Sequence, residues 1–107
     1  MRHKCFDDAC PMGPWIVPSA YLADPTDLPI RLWINEALKQ DSNSGKMIFS
    51  VAEQIACLSE SITLHPGDVI MTGTPAGVGM ARQEFLKSGD VVRLEIAGIG
   101  QLQNVVS

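Results

Sequence analysis

Apolar and polar positions alternate most plainly in two stretches of the chain. Ile30, Leu32 and Ile34 point one way and Arg31 and Trp33 the other, before Asn35-Glu36 interrupts and Ala37 to Gln40 continues the chain. That pattern predicts a hairpin. Asn35 suits a primed turn, whereas Glu36 stands where glycine is preferred, and left-handed backbone at a non-glycine residue costs roughly 1–2 kcal/mol. Farther on, Val92, Leu94 and Ile96 alternate with Arg93 and Glu95, and Gly98-Ile99-Gly100 turns the chain into Gln101 to Val106, a closing hairpin. The period becomes helical at Val51, Ile55 and Leu58. Ser50-Val51-Ala52-Glu53 ahead of them matches a capping box, so one helix is predicted over about Val51 to Ser59. Trp15 to Val17 and Val69 to Thr72 read as short strands, and Ala81 to Leu86 as one helical turn. One helix against five or six strands predicts a β-dominated α+β fold, a layered or rolled sheet rather than a βαβ array.

Prolines and glycines set the connections. Five of the seven prolines lie between residues 11 and 29. Cys10-Pro11-Met12-Gly13-Pro14-Trp15 in particular cannot be helix, because proline lacks the amide donor and restricts the residue before it. An extended loop covering a sheet is the expectation. Pro66-Gly67-Asp68 and Ser88-Gly89-Asp90 share a turn-then-strand wording, which reads as convergent turn chemistry, since nothing else recurs at that offset. The stretch from His65 to Gly79 then organises the chain: a tight turn, a short apolar run, and a loop carrying Gly73, Gly77 and Gly79. Glycines permit left-handed or crowded backbone where a main chain must approach a ligand, and the Thr74 hydroxyl both donates and accepts. On spacing alone a glycine-rich turn between strands is the better account of the stretch. A phosphate-binding P-loop does not, since no Lys-Ser or Lys-Thr pair follows the glycines.

At 107 residues, 46% hydrophobic and 19% charged, the chain is one globular domain at most. No apolar run approaches the roughly 18 residues of a membrane span, and a net charge of −4 with scattered Lys and Arg offers no basic stripe. Nucleic acid and membrane are therefore excluded as partners. Cys5, Cys10 and Cys57 with no secretory segment at the start point to a reducing cytoplasmic setting. Cys5 and Cys10 with His3 and His65 form only a weak zinc pattern, and packing or surface thiols explain them better. Glu53 admits a general-base reading, but its place in the capping box accounts for it. Met1 to Lys4 is too short to build an element before Pro11, so the chain is expected to start in mid-structure, as a single partial domain over residues 1–107.

Lys4-Cys5-Phe6-Asp7, Cys10-Pro11-Met12-Gly13-Pro14-Trp15, Met47-Ile48-Phe49-Ser50 and the stretch from Pro66 to Gly79 together resemble the fumarylacetoacetate hydrolase family. Leu86 to Val92 and Glu95 to Gly100 extend the resemblance over essentially the whole chain. The branch it is most similar to contains acylpyruvate hydrolases, oxaloacetate decarboxylases and hydroxyheptadienedioate isomerases. The resemblance implies a mixed β-sandwich roll, often a homodimer in the complete protein, that cleaves, decarboxylates or isomerises small 2-oxo or 2,4-dioxo acids around Mg²⁺ or Mn²⁺. It implies catabolic work on such acids. It also implies roles for three residues. Lys4 stands where the family has a lysine beside the substrate oxygens, Thr74 where it has the threonine that contacts the substrate carboxyl, and Gly73 supports that loop.

The family's metal carboxylates, a Glu-x-Glu pair and a later aspartate, lie upstream of its lysine, as does the lid that supplies its base. The metal ligands are accordingly expected outside this chain, which then resembles a C-terminal half. Cys5 replaces the usual glycine after the lysine, and Glu36 the glycine of the hairpin turn. Two classes of function stay open at this point: part of a metal-dependent enzyme acting on 2-oxo acids, or a non-catalytic remnant serving as an oligomerisation module.

Overall fold

The computed structural model describes residues 6–107. Strands β1 (Pro29–Ile34) and β2 (Ala37–Asn43) form the first hairpin, and β3 (Val91–Ile96) and β4 (Gly100–Val105) the second. All pairings are antiparallel, and the sheet order is β2-β1-β3-β4. The helix α1 (Val51–Ser59) occupies the expected residues, and both halves of the capping box are made. The Glu53 amide donates to Ser50 Oγ at 3.2 Å, while Glu53 Oε2 accepts from the Ser50 amide at 2.7 Å and its hydroxyl at 2.8 Å. Such a cap stabilises a helix by about 1 kcal/mol.

The first hairpin turns more easily than its sequence suggests. Of its two corner residues only Asn35 is left-handed, at φ 54°, so Glu36 carries no left-handed strain. Asparagine fits for a second reason as well. Its amide Nδ2 donates to Asp90 Oδ1 at 3.1 Å and its Oδ1 accepts from the Val91 amide at 2.9 Å, which ties the turn to the start of β3. The two Gly-Asp turns also repeat one geometry. Gly67 and Gly89 take φ 99° and 90°, each aspartate amide closes back on the carbonyl three residues earlier, and each aspartate carboxylate accepts from that residue's amide.

Register sorts the side chains into two faces, because partners across a ladder share a face. Ile30, Leu32 and Ile34 lie opposite Ile96, Leu94 and Val92, with Leu102 next in line on β4. This is the apolar face. The other face holds Arg31, paired with Asp41 at 3.2 Å, and Arg93, whose guanidinium sits 3.9 Å from the centre of the Trp33 ring. Two loops lie against the sheet. Trp15 donates from Nε1 to the Ile99 carbonyl at 2.8 Å and closes over Gly100, while the glycine loop lies over Leu32, Ile34 and Val92.

Three expectations need correction. Trp15 to Val17 and Val69 to Thr72 pair with no strand among the described residues, so the sheet has four strands rather than five or six. Both runs have apolar side chains suited to a strand, but a strand exists only where a neighbour supplies the ladder. The short helix α2 spans Gly79–Arg82 instead of Ala81 to Leu86, and Gln83 ends it by turning left-handed at φ 54°.

Among the described residues no apolar side chain is buried, and Ile16, Ile48 and Met71 are 93%, 91% and 77% exposed. With β2 and β4 as unpaired sheet edges beside that apolar surface, the free chain should self-associate and bind hydrophobic dyes. Light scattering checks this, and a dispersed monomer that binds no dye would show that the chain closes its own core. No described helix is long and apolar enough to cross a membrane.

Candidate substrate loop

The glycine loop is held to the sheet at both ends. At its start, Gln40 on β2 reaches up from the apolar face and donates from Nε2 to Thr74 Oγ1 at 3.0 Å and to the Pro75 carbonyl at 2.8 Å. Gln40 is on that face because of a β-bulge. Trp33 pairs with Leu38 but Leu32 pairs with Gln40, which leaves Lys39 as the extra residue and shifts the rest of β2 to the opposite face. The bulged Lys39 turns its carbonyl towards Gly77, where a Cβ would collide with that oxygen. Only glycine permits this approach.

At the far end of the loop, Lys39 Nζ meets Glu84 Oε2 at 2.8 Å and Arg82 Nε lies 3.3 Å from the same oxygen. The hydrogen bond from Lys39, together with the charges of Lys39 and Arg82, holds the Glu84 carboxyl below its usual value. Glu84 thus stays ionised as a strut between α2 and β2. Under the loop lies a cleft of about 210 Å³, lined by Leu32, Ile34, Gln40, Thr74 and Val92 among others.

The three residues singled out by sequence fare differently. Gly73, at φ 112°, is a left-handed corner, and Thr74 follows it exposed at the loop surface. Lys4 lies outside the described residues, so the structure brings only Gly73 and Thr74 together. Gln40 is the site residue that sequence reasoning passed over. Glu53 is committed to the helix cap, where the Ser50 hydroxyl and then the Ser50 amide lower its pKa, the opposite of what a general base at neutral pH needs. Cys10 contacts the Met71 sulfur at 3.8 Å, while His3 and Cys5 of the zinc pattern lie outside the described residues. Among the described residues no three His, Cys, Asp or Glu side chains converge on a point, so these residues do not offer a divalent cation its ligand set.

The family model for the C-terminal region of fumarylacetoacetate hydrolase matches residues 1–107. The chain belongs to the fumarylacetoacetate hydrolase family. It is 48% identical over 105 residues to the mitochondrial oxaloacetate tautomerase fahd2 of Xenopus laevis, covering 96% of this chain and 33% of that protein. It is 44% identical over 109 residues to 2,4-didehydro-3-deoxy-L-rhamnonate hydrolase of a Sphingomonas strain, covering 99% of this chain and 38% of that protein. Among solved structures, maleylpyruvate hydrolase from a Sphingobium strain superimposes with a TM-score of 0.87 at 37% identity, over 94% of this chain and 36% of that one. That enzyme has also been solved in complex with manganese (II) ion and pyruvate. Fumarylacetoacetate hydrolase from Exiguobacterium antarcticum gives 0.89 at 41% identity, over 95% of this chain and 37% of that one. The chain therefore has the β-dominated α+β fold of the family, and it spans about a third of the length of the relatives it matches.

Proposed function

We propose that this chain carries the substrate-carboxylate loop and the lysine of a fumarylacetoacetate hydrolase-like enzyme that hydrolyses, decarboxylates or isomerises small 2-oxo or 2,4-dioxo acids. The observation that carries this reading is the Gln40 clamp. A threonine hydroxyl held at the surface of a glycine loop, fixed from beneath by a buried amide, is pre-arranged to meet an anionic oxygen. The names of the relatives agree in chemistry, since oxaloacetate, maleylpyruvate and pyruvate all place a carboxylate beside a 2-oxo group.

In this reading Thr74 and Gly73 bind and orient the carboxylate, and Lys4 places a positive charge beside the 2-oxo oxygen, where negative charge grows as an enolate forms. A divalent ion, Mn²⁺ as in the maleylpyruvate hydrolase complex or Mg²⁺, supplies charge stabilisation when bound. Its ligands belong to carboxylates outside this chain. Residues 1–107 act as the C-terminal part of a catalytic domain that works as a homodimer. A reducing compartment such as the cytoplasm suits the free thiols of Cys10 and Cys57.

Pyruvate is the probe for the loop. Ligand-observed NMR on the chain joined behind a family segment that contains the Glu-x-Glu pair should show saturable binding, and Thr74→Val should weaken it about tenfold by removing a hydrogen bond to a charged group. If pyruvate binds equally well to the Thr74→Val chain, or not at all to the unmodified one, the loop does not read a carboxylate and the non-catalytic alternative replaces this one.

A further inference from the structure

The glycine loop leaves and rejoins the sheet at two consecutive residues of one strand. At its start, Thr74 and Pro75 accept from Gln40 Nε2, and at its end Glu84 Oε2 accepts from Lys39 Nζ at 2.8 Å. Among the described residues, every polar side-chain contact between residues 74–84 and the sheet uses Lys39 or Gln40. The loop is thus a ring closed at the β2 bulge, with one anchor at each end.

Glu84 fastens more than its own side chain. Its amide donates to the Gly79 carbonyl at 3.0 Å, and a Cβ on Gly79 would collide with the Glu84 carbonyl oxygen, so Glu84 folds back tightly on the start of α2. Its carboxylate then ties that unit to β2. Arg82 approaches the same carboxylate oxygen at 3.3 Å, but Arg82 belongs to the loop, and that pair fastens nothing to the sheet. Its Nη1 does reach the Lys39 carbonyl, at a long 3.4 Å. Lys39 is the partner that crosses to the strand, with its side chain only 22% exposed.

We infer that Glu84 is a positioning residue for the carboxylate site: by pairing with Lys39 it holds the far end of the loop on β2 and so keeps Thr74 seated on Gln40. The inference rests on the reading of Thr74 as the carboxylate contact. Gly77 and Gly79 leave an undocked loop much backbone freedom, so docking has an entropic cost that the two anchors offset together. With the Glu84 anchor gone, the docked fraction falls, and the apparent affinity for a carboxylate falls with it.

The sign of the effect provides the test. On charge alone, removing a carboxylate near an anion site should tighten anion binding, and removing an ammonium should weaken it. A latch requires both changes to weaken it. Glu84→Gln and Lys39→Met are therefore titrated with pyruvate by ligand-observed NMR, each in the chain joined behind a family segment that contains the Glu-x-Glu pair. Each should lower hydrogen-exchange protection over residues 77–84 about threefold, the scale of one partly exposed ion pair. Pyruvate affinity should fall about twofold, since it drops by no more than the docking equilibrium does. The double variant should lose no more than either single one. In a Thr74→Val background Glu84→Gln should weaken pyruvate binding no further, whereas a general loss of stability would weaken it there as well. If Thr74→Val weakens binding while Glu84→Gln leaves it unchanged or tightens it, or if the Glu84→Gln loss persists without the Thr74 hydroxyl, this inference is overturned with the carboxylate reading intact. If Thr74→Val itself leaves binding unchanged, both are overturned.

Discussion

Gly77→Ala is expected to undock the glycine loop and to be strongly destabilising. Two penalties coincide at this residue. Its φ of 103° is one that L-residues rarely adopt, and the added Cβ would collide with the Lys39 carbonyl oxygen and lie 3.1 Å from the Gln40 Cγ. Left-handed backbone costs roughly 1–2 kcal/mol and overpacking against backbone a further 1–3 kcal/mol, so about 3 kcal/mol in all is expected. The neighbouring glycines are internal controls. Gly67 and Gly73 have similar φ values, 99° and 112°, but nothing within 4 Å of an added Cβ, so Gly67→Ala and Gly73→Ala should cost only the backbone share. Hydrogen-exchange protection over residues 74–84 and thermal melting distinguish the three. Gly77→Ala should lose protection across the loop and the Gln40–Thr74 hydrogen bond with it, whereas Gly67→Ala keeps both. Equal costs at Gly67 and Gly77 would mean that the loop does not rest on β2 in solution.

The contrast between those glycines marks how far the sequence could be read. That Gly67 sits in a turn is legible, because Pro66 before it and Asp68 after it fix the turn chemistry locally. That Gly77 must be glycine is not, since the reason is the Lys39 carbonyl, distant in the chain. The two hairpins and the α1 capping box were legible on the same principle: each is specified by alternation or by hydrogen bonds within a few residues.

Gln40 escaped notice because the bulge at Lys39 is silent in the sequence. Strict alternation from Ala37 would send Gln40 to the face opposite Ile34, and a single extra residue at Lys39 brings it to the face of Leu32 and Ile34 instead. The runs at Trp15 to Val17 and Val69 to Thr72 failed in the complementary way. Alternation and apolar character report which face of a segment favours burial, but contain nothing about which strand, if any, supplies its ladder. Thr74 stood out for its place among glycines, while the side chain that donates to its hydroxyl lies 34 residues away in sequence.

On the proposed reading of the site, Lys4 carries the other large effect. Joined behind a family segment that contains the Glu-x-Glu pair, the Lys4→Met chain should lose turnover by about 10²–10³-fold, the scale of a lost oxyanion donor, because the lysine charge interacts more strongly with the enolate than with the ground-state ketone. Thr74→Val in the same context should act at a different stage. In the proposed site the carboxylate bound by Thr74 keeps its charge throughout the reaction, so ground state and transition state lose the same hydrogen bond, about 1.5–3 kcal/mol for one to a charged group. Its KM should therefore rise more than its kcat falls, the reverse of the Lys4→Met pattern. Kinetics and melting temperature taken on the same preparations separate catalysis from folding. If both variants melt early yet turn over like the parent per folded molecule, Lys4 and Thr74 only shape their loops, and the family fold stands without the proposed site.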